Sequence, residues 1–310
     1  MKYLKLFENF EDYNPYDLMI LFPSQRHAML MQEINSSKPN LNLVRDLIAL
    51  GADLERQDED GYGFKRTVLM YATIKNHTEI ARMLIDAGAD LNLRDEYGDT
   101  ALQYAVNLSP EIFNMLIEAG ADLDNKNMGG DNPLHYAIRY MKFELANTLI
   151  SAGANLDVQD TNGWTVLLRS TYKNFINIAE KLINAGADVN VQTNNGMTAL
   201  HYAISKEHIE IVKMLIDAGA DLDLQDKDGR TALHKCTYQS EYAQILIDAG
   251  ASLDVQDNDG LTPLHTVAAM NDFETIKMLI KAGARKDIKD NKGRPPYELT
   301  TREYIKEFLS

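Results

Sequence analysis

The fold of this chain is decided by one stretch, GMTALHYAISKEHIEIVKMLIDAGAD, which runs from Gly196 to Asp221. Thr198 is suited to begin a helix, because its hydroxyl can accept a hydrogen bond from an otherwise unpaired backbone N–H. Leu200 and Ala203 follow three residues apart, which places both on one face of a short helix. The stretch therefore predicts a first helix whose small residue lets a neighbouring helix approach closely.

The same stretch predicts a second helix. Ile211, Met214 and Leu215 have the i, i+3, i+4 spacing of a single buried helical face. Gly219 then ends this helix, because glycine adopts the left-handed conformation at little cost. The Ala-Asp-Leu-Asp and Asp-x-x-Gly segments that follow predict a projecting turn before the next helix.

This unit recurs along the chain with a period of about 33 residues. Because a helix pair of this size cannot bury its apolar faces alone, stacked copies must share them. The sequence therefore predicts an all-α, elongated repeat solenoid without a substantial sheet. A second glycine follows each closing glycine ten residues later, and the closing glycines are Gly51, Gly88, Gly120, Gly153, Gly186, Gly219, Gly250 and Gly283.

The repeat resembles the ankyrin repeat. The resemblance rests on the helix start Gly-x-Thr-Pro/Ala-Leu-His-x-Ala, seen at Gly196–Ala203 and at Gly260–His265, and on the second helix His208–Leu215 that runs into Asp217–Asp221. It covers about residues 40–300 and includes seven full copies. These copies open at Asp58, Asp95, Asn127, Asp160, Thr193, Asp226 and Asp257.

The resemblance implies both a fold and a function. Ankyrin arrays are stacks of helix–turn–helix units with β-turn fingers, and they generally bind another protein through the fingers and the concave face of the first helices. Members rarely catalyse a reaction unless they are fused to a catalytic domain. We therefore expect a non-catalytic, monomeric scaffold whose partner is a protein that the sequence does not identify.

The repeat pattern also predicts a division of the chain. Residues 58–289 hold the seven repeats, residues 23–57 a degenerate N-terminal capping repeat, and residues 290–310 a C-terminal capping repeat. Residues 1–22 lie outside the pattern, with Leu4, Phe7 and Phe10 at helical spacing before Asn14-Pro15 breaks the run. This segment is either a flap over the first repeat or a short docking helix for another protein.

Two copies depart from the consensus. The first full copy carries four extra residues between Gly61 and Thr67, which predicts a longer finger. The copy opening at Asp160 has Val166, Leu168 and Ser170 where others have Pro or Ala, His and Ala, and this predicts weaker packing between its helices.

Composition excludes several classes of partner. The net charge is −15, with 46 acidic and 31 basic residues, whereas nucleic-acid binding needs clustered Lys and Arg. The longest apolar run near the N-terminus, Leu18 to Phe22, is too short to span a bilayer, and no secretory signal precedes it. One cysteine, Cys236, forms neither an internal disulfide nor a thiolate zinc site. We expect a cytoplasmic, reducing location and no membrane partner.

Residues that could suggest a metal or cofactor site have structural explanations. Four of the seven histidines share one repeat position, where the resemblance implies hydrogen bonds to the helix cap and the next repeat, and only His27 is unassigned to a repeat position. The Asp226–Gly229 and Asp257–Gly260 segments lack the first acidic ligand and the final Glu of a calcium loop. We therefore expect no metal, no cofactor, no small-molecule substrate and no catalytic residue. The four histidines are His135, His201, His234 and His265.

The binding surface is predicted from positions that face the partner in ankyrin-like arrays, namely those flanking the finger glycine and those after the small residue of the first helix. They are rich in Trp, Tyr and Arg, which most often dominate interface energetics. In the alternative interpretation, Trp164 packs back on its own finger and the tyrosines are ordinary residues at the solvent edge. The predicted residues are Tyr97, Arg139, Tyr140, Trp164, Tyr172, Lys173 and Tyr238.

Two other functions remain open at this point. The aromatic N-terminal segment could let a structural protein associate with itself, although charged caps argue against open-ended stacking. An enzyme would need a site in residues 1–22 or 62–66, and neither segment offers a nucleophile paired with a base.

Overall fold

The computed structural model describes residues 15–59 and 65–310. The chain divides into two compact units, Met1–Asn155 (unit 1) and Leu156–Ser310 (unit 2). In each unit the described residues form short helices in pairs that are joined by projecting turns. The predicted all-α helix–turn–helix fold is therefore confirmed.

Unit 1 begins with a short helix and continues with helix pairs. The helices of unit 1 are α1 (Pro15–Met19), α2 (Pro23–Asn35), α3 (Leu41–Ala49), α4 (Val68–Ile74), α5 (Thr78–Asp86), α6 (Ala101–Leu108), α7 (Pro110–Glu118), α8 (Pro133–Arg139) and α9 (Phe143–Ser151).

Unit 2 repeats the same pattern to the end of the chain, with two 3-10 turns at Ala232–Lys235 and Pro296–Glu298. The α-helices of unit 2 are α10 (Val166–Tyr172), α11 (Ile176–Asn184), α12 (Ala199–Ser205), α13 (Ile209–Asp217), α14 (Ser240–Asp248), α15 (Pro263–Ala269), α16 (Phe273–Ala282) and α17 (Glu303–Leu309).

The first helix of each repeat begins at a polar residue that satisfies the free backbone donors. The Thr198 hydroxyl accepts a hydrogen bond from the backbone N–H of His201. Nε2 of His201 lies 3.0 Å from the Arg230 carbonyl oxygen, so the ring also joins its repeat to the next one. His234 and His265 make equivalent contacts one and two repeats later. The histidines at this position have the structural role that the sequence predicts.

The second helix of each repeat buries one face and ends at glycine. In α13 the buried residues are Ile211, Val212 and Leu215, and Met214 of the predicted stripe is half-buried at its edge. Gly219 follows with a φ of +83°, and the next backbone N–H, that of Ala220, donates to the Leu215 carbonyl. This left-handed closure turns the chain away from the helix toward the finger.

Most fingers are β-turns held by an aspartate at their first position, and Asn127 and Thr193 take that position in two others. A side-chain oxygen of Asp226 accepts hydrogen bonds from the backbone N–H groups of Asp228 and Arg230. The backbone N–H of Lys227 donates to the Asn195 carbonyl at 3.0 Å, so that one backbone bond links successive fingers. Within residues 15–59 and 65–310, fingers stacked in this way form no continuous sheet.

The first finger is built differently at its base. Strands β1 (Asp58–Glu59) and β2 (Lys65–Arg66) pair antiparallel, with Asp58 opposite Arg66 and Glu59 opposite Lys65. The tip of the predicted longer finger lies outside the described residues. Its base is therefore a two-stranded ladder.

His27 anchors this finger base to α2. The ring is buried, with Nδ1 2.5 Å from the Asp53 carbonyl oxygen and Nε2 2.6 Å from the Asp58 carboxylate. Burial raises the pKa of Asp58, but hydrogen bonds from His27 and Arg56 outweigh burial and hold that pKa below its usual value. The histidine that the sequence left unassigned thus joins two elements of unit 1.

The repeat that opens at Asp160 does not have the weaker helix packing predicted from its sequence. Val166, Leu168 and Ser170 are all buried in α10, and Ser170 Oγ donates to the Val166 carbonyl at 2.7 Å. The serine hydroxyl is satisfied within its own helix and can occupy an alanine position without leaving an unpaired buried group. That prediction was wrong.

The first helix that departs from the regular pattern lies in the copy that opens at Asp226. The spacing between Gly219 and Gly250 is two residues shorter than in the preceding repeat, and the first helix there is reduced to the 3-10 turn Ala232–Lys235. Cys236 is buried at the position of the usual alanine, and burial raises the pKa of its thiol to about 12. Cys236 thus serves as a small residue of the core.

The ends of the described chain are covered by different means. Leu18 of α1 is buried, whereas its neighbours Tyr16 and Ile20 are exposed. Leu4, Phe7 and Phe10, on which the flap or docking-helix prediction rests, lie outside the described residues. The predicted boundaries at residues 22, 57 and 289 stay predictions.

At the C-terminus, α17 buries Ile305 and Leu309. Its two aromatic side chains pack on α16. The Tyr304 and Phe308 ring centroids lie 5.2 and 5.3 Å from the Phe273 ring centroid. The polar residues Glu303 and Glu307 of the same helix are exposed, and Lys306 is half-buried.

Candidate functional site

Three of the seven residues predicted to bind a partner lie in unit 1, and four lie in unit 2. Trp164, Tyr172 and Lys173 come together in unit 2, and Arg139 and Tyr140 lie next to each other in unit 1. The other two, Tyr97 and Tyr238, belong to neither group. The strongest concentration of aromatic and basic side chains is around Trp164.

Trp164 follows the finger glycine and packs against two tyrosines. Its ring centroid lies 5.5 Å from that of Tyr172 in an edge-on contact and 4.6 Å from that of Tyr202 in a tilted stack. The Tyr172 and Tyr202 rings meet edge-on at 5.8 Å. All three pairs have the separations at which aromatic rings attract each other. We call Trp164, Tyr172 and Tyr202, with Lys173 and Lys206, the Trp164 cluster.

The repeat geometry explains why these rings meet. Trp164 precedes the capping Thr165 of α10, and Tyr172 is the last residue of that helix. Tyr202 lies in α12, the first helix of the next repeat. The cluster therefore spans two neighbouring repeats of unit 2. Trp164 contacts the next repeat and does not pack only on its own finger.

The rings remain accessible at the surface. Trp164 and Tyr202 are half-buried, and Tyr172 is 36% exposed. The ammonium of Lys206 lies 4.5 Å from the Tyr172 ring centroid, and that of Lys173 lies 5.8 Å from the same centroid. Both distances fall within the range of cation–π attraction. The cluster thus presents apolar ring surface beside two positive charges.

An ion pair between the buried Asp160 and the half-buried Arg169 holds the finger beside the cluster. The Asp160 carboxylate accepts backbone N–H bonds from Asn162 and Trp164, which fixes the finger. Its second oxygen accepts from the Arg169 guanidinium at 2.7 Å, and Arg169 projects from the middle of α10. This arrangement neutralises the acid at the base of the finger and holds the Trp164 backbone in place.

A second aromatic group lies in unit 1. The Tyr136 and Tyr140 rings are 5.8 Å apart, and the Arg139 guanidinium carbon lies 5.5 Å from the Tyr136 ring centroid. Arg139 also donates to the buried Asp131 carboxylate. Its charge is therefore already compensated.

The Tyr136 hydroxyl forms a hydrogen bond at the base of a finger in unit 1. It donates to the Asp99 carboxylate at 2.7 Å. Burial raises the pKa of Tyr136 well above its ordinary value, and the bond to Asp99 raises it further. Burial also raises the pKa of Asp99, and the hydrogen bond from Tyr136 offsets this only in part. This group is a structural network with an exposed edge at Tyr140.

The two remaining predicted residues have local roles. Tyr97 sits on a finger of unit 1, where its carbonyl accepts from the Met128 backbone N–H at 2.8 Å in the next finger. Tyr238 has a φ of +60°, and its hydroxyl donates to the Met270 carbonyl. The two-residue deletion places Tyr238 in the turn between helices, so it is not the neighbour of the first helix that its sequence position suggested.

Sequence reasoning missed Tyr202 and Lys206. Tyr202 stands between the histidine and the alanine of the Leu-His-x-Ala motif, and in the structure this position points to the same side as Trp164. Tyr136 occupies the same motif position in unit 1. The variable residue of the motif was therefore the signal that could have found Tyr202.

The buried histidines of the repeat motif are held in their hydrogen-bonded positions by burial. Burial lowers the pKa of His201, His234 and His265, which favours their neutral, hydrogen-bonding form. No group of three or more His, Cys, Asp or Glu side chains within residues 15–59 and 65–310 is arranged to hold a metal ion. In the same residues, no helix has the length and apolar character needed to cross a membrane.

Comparison with known proteins agrees with this architecture. The family described as "Ankyrin repeats (3 copies)" matches residues 30–127, 134–226 and 215–290. The crystal structure of the ankyrin repeat domain of Bcl-3, described as a unique member of the IkappaB protein family, matches with 26% identity and a TM-score of 0.62. The match covers 69% of this chain and 99% of that one. No curated protein matches the sequence. The chain belongs to the ankyrin repeat family.

Proposed function

We propose that this chain is a non-catalytic protein-binding module, and that its partner docks on the Trp164 cluster. Ankyrin repeats are generally protein–protein interaction modules, and the match to this family is the starting point. The observation that supports the position is the contact of Trp164 with Tyr172 and Tyr202 across two repeats. A large apolar contact of this kind on a rigid pair of helices is typical of interface hot spots.

The cluster is suited to an interface for a physical reason. Its rings are held by neighbouring rings and by a capped helix, so little side-chain entropy is lost when a partner covers them. A partner that covers the exposed ring surface removes apolar area from water. The Asp160–Arg169 ion pair fixes the finger beside the rings. The surface is thus organised before binding.

Two further parts of the proposal concern setting and stoichiometry. We place the protein in the cytoplasm, because its single thiol is buried and protonated and has no internal partner for a disulfide. We expect it to act as a monomer with one partner protein.

Self-association is the second candidate function. It is favoured by four exposed apolar or aromatic side chains near α1, Tyr16, Met19, Ile20 and Phe22. Light scattering that shows mass rising with concentration would favour that candidate.

The proposed position is tested by Tyr172→Ala. Peptide ligands are first selected from a displayed library of short random peptides on the full-length chain. We expect Tyr172→Ala to weaken their binding by about tenfold, because it removes the most exposed ring of the cluster. The matched control is Tyr97→Ala, an exposed finger tyrosine of unit 1, which should leave the affinity unchanged. Equal losses in both variants, or a loss only in the control, would contradict the proposed position.

A further inference from the structure

We infer that the segment bound by the Trp164 cluster is acidic and carries a large apolar side chain. This inference rests on the proposed function and adds the chemistry of the partner. It follows from the distribution of charge around the cluster, which differs from that of the chain as a whole.

The cluster holds two positive charges, those of Lys173 and Lys206. Lys206 and Lys173 both lie within 5.8 Å of the Tyr172 ring centroid. Among the described residues of unit 2, neither lysine forms an ion pair with Asp or Glu. An ammonium in contact with a ring face still has N–H donors for another acceptor. A carboxylate that approaches Tyr172 would therefore meet two unpaired donors.

Two acids beside the cluster bind other groups and do not pair with these lysines. Asp160 is paired with Arg169 at 2.7 Å. Glu207, next to Lys206 in the sequence, accepts a bond from the Gln239 side-chain amide at 3.3 Å. Neither carboxylate forms an ion pair with the lysines of the cluster.

The finger tips beside the cluster are also uncharged. The tip of the Gly163 finger is Thr161-Asn162, and that of the Gly196 finger is Asn194-Asn195. The finger that follows them reads Asp226-Lys227-Asp228. On a chain with a net charge of −15, the cluster is thus a locally positive, aromatic surface bounded by neutral fingers. Charge complementarity favours an acidic partner at this position.

The rings indicate the second chemical property of the ligand, which is a large apolar side chain. Trp164 and Tyr172 offer partly exposed apolar surface within reach of the same lysines. An acidic segment with an aromatic or large aliphatic residue can cover the rings and place carboxylates on the ammonium groups at once. Single-stranded nucleic acid also combines negative charge with flat bases. The overall negative charge of this chain repels such a polyanion, so we favour an acidic peptide segment.

The test compares the peptides selected on the full-length chain with two charge-reversed variants. We expect the selected peptides to be acidic and to contain at least one large apolar residue. Binding of fluorescein-labelled copies should weaken by about tenfold or more in Lys173→Glu/Lys206→Glu. The matched control, Lys181→Glu/Lys213→Glu, changes the net charge equally on the second helices α11 and α13 and should alter binding by about twofold at most. Selection on Lys173→Glu/Lys206→Glu should enrich basic peptides instead.

The outcomes separate this inference from the proposed function. Peptides that are neutral or basic but lose affinity in Trp164→Ala would overturn the acidic partner and leave the docking position standing. Acidic peptides that bind Trp164→Ala as well as the unmodified chain would refute the docking position. Tighter binding of an oligothymidylate than of any peptide, or the absence of any selected peptide, would overturn the inference. Circular dichroism of each variant shows whether a loss of binding reflects unfolding.

Discussion

Gly229→Ala is expected to destabilise unit 2 by about 3 kcal/mol, because the finger glycine meets two separate constraints. Its φ is +78°, in the left-handed region where a Cβ atom is unfavourable. A Cβ at this position would also lie 2.6 Å from the backbone nitrogen of Asn258 in the next finger. Neither atom can move without disturbing the finger stack. Thermal or urea unfolding followed by circular dichroism measures the loss.

The matched control is Gly219→Ala, at the end of the second helix of the preceding repeat. Its φ is +83°, but a Cβ there has no heavy atom within 4 Å. Only the left-handed conformation is penalised, so the expected loss is about 1 kcal/mol. The difference between the two variants isolates the contact between fingers. Equal losses would mean that finger stacking contributes nothing beyond the backbone preference.

Trp164→Ala is expected to weaken binding of the selected peptides by about 2 kcal/mol, which corresponds to about thirtyfold in Kd. The substitution removes the ring that contacts both Tyr172 and Tyr202, and with it the centre of the cluster. The half-buried ring contributes less to folding, so the free energy of unfolding should fall by about 1 kcal/mol. Fluorescence anisotropy of labelled peptides and a melting curve measure the two quantities.

Tyr238→Ala is the control for Trp164→Ala. It removes a tyrosine of unit 2 that is 70% exposed and lies in a turn. Within the described residues, this tyrosine contacts no ring of the Trp164 cluster, and its hydroxyl donates to the Met270 carbonyl. Its affinity for the peptides should match that of the unmodified chain. A loss as large as that of Trp164→Ala would show that the binding surface extends to the shortened repeat.

The fold could be predicted from the sequence because each repeat folds through contacts that recur at a fixed spacing. Thr198, His201 and Gly219 mark the beginning, the bracing contact and the end of one unit, and their counterparts do so elsewhere. The structure of the repeats that depart from the consensus depends instead on local details of each repeat. The serine at position 170 is accommodated within its helix, whereas two missing residues before Tyr238 shorten a helix.

The candidate site could be predicted only in part. Trp164, Tyr172 and Lys173 were found because they flank the finger and the end of one first helix. Tyr202 and Lys206 belong to the next repeat and join the cluster only through stacking of the two first helices. Such proximity is a property of the packed array, and the pattern within one repeat does not contain it.

The emission of Trp164 provides the most direct test of binding at the cluster, because it is the only tryptophan in the chain. A peptide that docks on the cluster should shift its emission and protect it from acrylamide, with the same midpoint as the anisotropy of the labelled peptide. This result requires no substitution in the protein and reports from the centre of the proposed surface. A peptide that binds by anisotropy while the emission and quenching of Trp164 stay unchanged would contradict the account.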